Sequence, residues 1–360
     1  MILSVYYICI ASLFAISFFP HYRIWGLNWW AYFPLWVQCG LLGIGVVIPV
    51  IMWLVSKSVH GRGGTQGTNS KSPGRYLTIS PALCVLFGLV FYFLCARTHF
   101  LGDGYTLLSL LAADNPLIKP RELGESLIHI WVKWLVGGTG EPAALLSFQI
   151  VSIASGTLLV SFVAYAARRL FERNIDRILF LLGVSTGGYM LLYFGYVENY
   201  ALFVLSVTVY VLTGLLALTN RVRRRLILPP LVLACLFHVL GFTLIPSAAY
   251  VLLADTKIGR AMSRLNGRQK ALVAISLPAI LSILFAYFYL TSYYFRFAFV
   301  PLMQNRFTVE GYTLFSLNHL LDYLNLLFLL APAMPMVIAA VIRVGPKTLL
   351  KIRAHRYLFI

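Results

Sequence analysis

Two carboxylates stand where an otherwise apolar chain has least reason to keep them. Asp103 lies in "THFLGDGYTLL", between two glycines and directly after an apolar run. Glu198 lies in "YFGYVENYALF", in a short turn between two apolar runs. A positioned carboxylate can take a proton from an attacking hydroxyl, and an ionisable residue at a membrane boundary is a functional candidate by default. Asp103 has a second reading, because an Asp just before a helix is a good N-cap. Capping and chemistry are compatible, and Gly102 and Gly104 let a substrate approach the backbone closely. Glu198 reads equally as a hydrated turn residue. Arg97 and His99, just upstream of Asp103, are placed to keep it ionised or to bind an anion.

These residues must be positioned by membrane helices. The chain of 360 residues is 60% hydrophobic and 11% charged, with a mean hydropathy of +0.84. Apolar stretches near the roughly 20 residues that a crossing needs recur along it. They lack the two-residue alternation of barrel strands, so the expected class is all-α, a polytopic transmembrane helical protein. The expected spans are 2–19, 34–55, 79–96, 143–167, 178–193, 200–219, 226–238, 240–254, 271–293 and 323–342, about ten in number. The first begins at Ile2 without a charged leader or a small-residue cleavage site and reads as retained. The five cysteines lie in or at the ends of these stretches, which argues against a disulfide framework.

The net charge of +18 does not indicate a nucleic-acid partner. The basic residues fall in clusters between apolar stretches, as cytoplasmic loops do. These are the Gly/Ser-rich linker 56–78, "RRLFERNIDR", "TNRVRRRL", "DTKIGRAMSRLNGRQK" and the tail "RVGPKTLLKIRAHR". Residues 226–254 join two of them and must cross an even number of times. They are too short for two full spans and carry Pro229, Pro230, Gly241 and Pro246. A hairpin of two short helices with His238 near its apex satisfies both facts, and such helices at depth need protein or a water-filled cavity around them. The N-terminus is then cytoplasmic. Asp103, Asp114, Glu122, Glu125, Glu141, Glu198, Glu310 and Asp322 all face outward, leaving Glu172, Asp176 and Asp255 inside.

The largest outer loop, 97–142, contains two expected helices. "GYTLLSLLAAD" is stopped by Asn115-Pro116. In "RELGESLIHIWVKWL", Leu123, Leu127, Ile130, Trp131 and Trp134 share one face, while Glu125, His129 and Lys133 share the other. That pattern suits an interfacial helix with tryptophans at headgroup level.

With its acidic residue just after an outward-going span and interfacial helices in the first outer loop, the chain resembles the GT-C superfamily of integral-membrane glycosyltransferases. "FLGDGY" is similar to the family's acidic first-loop position, and "GYVENYAL" and "HVLGFTLIPSAAYVLL" resemble segments of bacterial members. The resemblance covers roughly 79–342. It implies a single transmembrane domain over 1–360 that transfers a sugar from a polyprenyl-phosphate carrier to a lipid, glycan or protein acceptor. Transfer would occur on the outer face of a bacterial inner membrane. Asp103 corresponds to the catalytic base. Two departures stand out. The family often pairs acids in this loop, whereas here only Asp103 follows the span. Many members continue into further spans or a soluble domain, whereas this chain stops at "HRYLFI", which reads as the start of another span, so the sequence is expected to be part of a longer protein.

Transfer from a phosphate-linked sugar needs a base at the acceptor and positive groups at the departing phosphate. The candidates are Asp103 and Glu198 for catalysis. Arg97, His99, Arg121, Glu122, His238, Arg296 and Arg306 are the candidates for substrate binding. Headgroup contact is the competing role for the two arginines of "YYFRFAFVPLMQNRF", and a structural hydrogen bond is that for His238. No cofactor is expected. A divalent cation (Mg or Mn) held by Asp103, Glu122 and Glu198 stays open, since carboxylates suit hard ions. The competing class is a polytopic transporter or lipid-linked-sugar flippase, which also uses broken helices and buried ionisable residues.

Overall fold

A computed structural model gives the fold for residues 2–61, 81–99, 102–254, 256–257, 266–293, 313, 315–345 and 357. Among these, every regular element is a helix. In chain order they are α1 (Ile2–Ile16), α2 (Leu35–Gly61), α3 (Pro81–Phe93), α4 (Gly104–Ala112), α5 (Leu123–Val136), α6 (Gly140–Leu170) and α7 (Asn174–Ser185). There follow α8 (Ala201–Leu218), α9 (Leu228–Phe237), α10 (Ile245–Leu253), α11 (Gly267–Thr291), α12 (Leu317–Leu330) and α13 (Met334–Val344). The chain divides into two compact units, one of residues 1–70 and 257–343, the other of residues 71–256 and 344–360. Most of the linker 56–78, most of the basic loop 255–270 and the tail beyond 345, Tyr357 excepted, lie outside the described residues.

Both candidate carboxylates belong to the second unit, which is organised around α6. Helices α3, α4, α5, α7 and α8 all pack on it. Its sequence allows this because Ala143, Ala144, Ser147, Ser152, Ser155, Gly156, Ala164 and Ala167 are buried along its length. Small residues let helix backbones approach where no hydrophobic drive separates protein from lipid. Gly156 is the tightest point, since a Cβ there would collide with Tyr193. The core that closes over it comprises Phe91, Leu159, Val160, Val163, Tyr193, Leu212 and Leu216.

Helices α6 and α8 are long and apolar enough to cross a membrane, and among the described residues a third crossing follows if α12 and α13 form one span. That pair bends by 88°, so the expected span 323–342 is broken. The break falls at Ala331, whose position before Pro332 disfavours helical backbone. The expected span 178–193 is also divided. Helix α7 ends at Ser185, and the chain resumes as a 3-10 helix, Gly188–Tyr193. The intervening Thr186-Gly187 has weak helical preference, and Gly187 is extended at φ −71°. Shorter apolar stretches of 10–17 residues lie within α1, α2, α3 and α11 and over Val239–Leu253.

Two short helices stand at 226–254, as expected there. Helix α9 starts with prolines in its first turn, where their missing N–H groups go unused, and ends at His238. The chain then turns into a 3-10 helix, Val239–Leu244, followed by α10. Gly241 lies directly against the Ala234–Cys235 backbone, so any side chain there would pry the two arms apart.

Candidate functional site

Asp103 and Glu198 come together from separate loops. Gly102 has φ +81°, a left-handed backbone that favours glycine, and a Cβ on it would collide with Glu198 Oε2. Gly104 is pressed against the His99 and Val197 carbonyl oxygens. Both glycines beside Asp103 are therefore contact points where the loop after α3 lies on segment 197–198. Asp103 itself is exposed and occupies the N-cap position of α4. Its side chain makes no capping hydrogen bond among the described residues. Only its backbone oxygen serves the helix, accepting from Leu107 N at 2.8 Å. The aspartate carboxylate is left to the surface.

Glu198 is held differently. Burial raises its pKa, and the charges of Asp103 and Glu122 raise it further, against a backbone hydrogen bond at Asn199 and the charge of Lys119. A carboxyl with these neighbours keeps its proton to higher pH than a free glutamate. The pair is thus asymmetric, one acid exposed and the other reluctant to ionise.

Helix α5 braces the Glu198 segment from below with two carboxylates one turn apart. Glu122, in the 3-10 turn Pro120–Glu122, accepts from Asn199 Nδ2 at 2.7 Å through Oε2. Glu125 is fully buried, and its Oε1 accepts from the amides of Leu202 and Phe203 at 3.0 and 3.1 Å. Those amides belong to the first turn of α8, which lacks intrahelical acceptors and carries the positive end of the helix dipole. One turn further along α5, His129 Nε2 faces Glu125 Oε2 at 3.6 Å, with the ring of Phe148 at 4.1 Å. Lys133 completes the row by donating to the carbonyls of Leu111 and Ala112 at the end of α4, at 2.7 and 3.2 Å. The polar face of α5 therefore points into the protein. Its apolar face points out: Trp131 is 58% exposed and Trp134 73%.

His238 closes the site from the hairpin. Its Nδ1 accepts from Leu240 N at 3.1 Å, which leaves the ring proton on Nε2, 3.9 Å from Glu122 Oε1. Tyr200 and Phe203 flank the ring at 5.3 and 5.2 Å. The structural role and the placement beside the acids are both present. Arg121 is exposed, and its charge acts on Tyr200 together with those of Glu122, Glu198 and Asp103. A narrow pocket between α4, α5 and α6, walled by Leu107, Leu111 and Phe148, reaches His129 and Asn199.

Two of the sequence candidates take other parts. His99 is buried, its Nδ1 accepts from Val197 N at 3.3 Å, and burial lowers its pKa. A neutral imidazole packed in this way fastens the loop and gives Asp103 no cation. Arg97 is exposed, and among the described residues no ion pair joins it to Asp103. Arg296 and Arg306 lie outside the described residues. Among the described residues no group of three or more His, Cys, Asp and Glu is arranged to hold a metal ion, and Asp103, Glu122 and Glu198 do not form one. Glu125, His129 and Asn199 are the residues that sequence reading missed. The i, i+4 spacing of Glu125 and His129 carries their shared face, but not its inward direction.

No protein-family model, curated protein or solved structure matches the chain. The class defined by the fold and the apolar helices is an all-helical protein with segments able to cross a membrane.

Proposed function

We propose that this chain is a membrane glycosyltransferase of the GT-C type, with Asp103 and Glu198 as its catalytic acids. The observation that carries the reading is the contact of Glu198 with Gly102, which sets a second carboxylate beside Asp103. The paired acid absent from the first loop is thereby supplied from the loop before α8. On this reading the acceptor hydroxyl attacks the anomeric carbon of a polyprenyl-phosphate-linked sugar as its proton passes to Asp103. The bond from that carbon to the phosphate oxygen breaks, the phosphate leaves with the electron pair, and the configuration inverts. Glu198, burdened with burial and two neighbouring acids, serves as the partner that holds or passes on the proton. On this reading Arg121 and His238, grouped with Glu122 and Tyr200, meet the donor's polar end. Acceptors are a lipid, a glycan or a protein.

The shorter apolar helices supply the further crossings of a polytopic protein of about ten spans, with the short hairpin among them. On this reading the basic clusters lie on the cytoplasmic side of a bacterial inner membrane, and Asp103 and Glu198 face outward.

The test is transfer in proteoliposomes from a panel of short-chain polyprenyl-phosphate hexoses and pentoses. Release of polyprenyl phosphate that depends on Asp103 and Glu198 supports the reading. Movement of intact donor across the bilayer without release of phosphate replaces it with the flippase alternative.

A further inference from the structure

We infer that the unit formed by residues 1–70 and 257–343 carries a binding cleft for a neutral sugar, built by the loop 22–28 on helix α12. The cleft is open, about 490 Å³, and lined by Arg23, Trp25, His319, Asp322, Tyr323 and Leu326.

The loop is built to hold a fixed shape. Asn28 is buried and donates its side-chain amide to the carbonyls of Phe19, Pro20 and Tyr22, at 3.1 to 3.3 Å, which closes the turn on itself. Asn325 then staples the loop to α12, accepting from Gly26 N at 3.1 Å and donating to the Arg23 carbonyl at 3.1 Å. Gly26 rests so closely on the Asn325 backbone that no side chain fits there. Asp322 finishes the wall, accepting from Arg23 Nε at 3.0 Å and Trp25 Nε1 at 3.1 Å. Its second oxygen pairs with Arg23 Nη2, so the two side chains meet as a two-pronged fork.

The chemistry of this wall selects its ligand. The Arg23 charge is matched by Asp322 in the same fork, so the cleft offers little net attraction to a phosphate or a carboxylate. Two large rings remain on its surface, Trp25 at 38% and Tyr323 at 59% exposure. Such rings pair an apolar face with a polar edge. A pyranose has the matching form, with a face of C–H groups to lie on a ring and a rim of hydroxyls to meet the polar edges of Arg23, Asp322 and Tyr323. An anion would have to displace Asp322 from Arg23, and an alkyl chain would leave the polar edges of Arg23 and Asp322 without hydrogen-bonding partners in the cleft.

Binding can be measured without any transfer reaction, so this inference stands or falls apart from the proposed activity. The purified chain in lipid nanodiscs is titrated with a panel of methyl glycosides, followed by saturation-transfer NMR, with inorganic phosphate as the anionic probe. At least one glycoside is expected to bind, and Trp25→Leu and Tyr323→Leu are each expected to weaken it about tenfold or more. Both ring variants lie on the surface of the cleft and keep the Asn28 and Asn325 bonds. The inference is overturned if no glycoside of the panel binds, or if binding is indifferent to both ring substitutions. It is also overturned if phosphate binds in their place, which would make the cleft an anion or headgroup site.

Discussion

Asn199 donates its side-chain amide to Glu122 Oε2 at 2.7 Å, joining two buried residues that are 77 positions apart. The bond fixes the residue next to Glu198 to the start of α5. Asn199→Asp would replace the donor with a second carboxylate in the same buried place. It is expected to lower thermal stability in detergent by about 1–3 kcal/mol, the usual cost of leaving a buried polar group without its partner. Adding Glu122→Gln restores a donor and an acceptor and should recover most of the loss, a double-mutant result that independent sites would not give.

Asp103→Asn separates catalysis from folding. No capping bond is at stake among the described residues, and Asn caps about as well as Asp. The variant is expected to unfold at the wild-type temperature while transfer falls on the order of 10²- to 10⁴-fold, the usual worth of a positioned base. Near-native transfer by the folded variant would remove Asp103 from the mechanism.

Glu198 gives the protein a pH signature. Its folded pKa is raised by burial first, then by Asp103 and Glu122. Between the ordinary glutamate pKa and this raised value the folded state binds more protons than the unfolded state. Its contribution to stability therefore falls as pH rises through that window and is fully present below it. Melting curves recorded across the window should show the wild type losing stability with rising pH and Glu198→Gln losing less. Equal slopes would show that Glu198 ionises like a free glutamate.

Gly102→Ala tests the close approach of Glu198 to the residue before Asp103 without altering either acid. The left-handed backbone at φ +81° and the collision with Glu198 act together. The expected cost is about 1–3 kcal/mol of stability, in the range of a strained backbone position. Transfer should fall by more than the loss of folded protein explains. Gly137→Ala is the control, since it shares a positive φ of 72° but has open space around its would-be Cβ.

Glu125 is the deepest brace. Glu125→Ala strips an acceptor from two first-turn amides of α8 and is expected to cost about 2–3 kcal/mol. Glu125→Gln keeps an oxygen for the same amides and should lose less, as read by thermal unfolding of the two variants side by side.

Local structure in residues 97–142 is legible from sequence because local chemistry fixes it. Asn115-Pro116 ends α4 and Pro120 opens the turn into α5, so both helices fall where "GYTLLSLLAAD" and "RELGESLIHIWVKWL" place them. The hairpin of α9 and α10 is legible for the same reason, in Pro229, Pro230, Gly241 and Pro246. Pro332 and the run Thr186-Gly187-Gly188 carry breaks that average hydropathy passes over, which is why 323–342 and 178–193 read as unbroken. The meeting of Glu198 with Gly102 is illegible in principle, since it depends on how α6 brings two distant loops to one place. The periodicity of α5 identifies which residues share a face, and it is silent on which face the protein keeps.

That last point bears on how the sequence of α5 can drift over generations. In a soluble protein the greasy side of a helix is the guarded one and the charged side changes freely. Here Glu125, His129 and Lys133 are bound to the interior while Trp131 and Trp134 look outward. Selection should therefore run in reverse along this helix. Tryptophan can give way to leucine or phenylalanine at little cost, whereas even a swap of glutamate for aspartate, shorter by one methylene, would withdraw the acceptor from the start of α8.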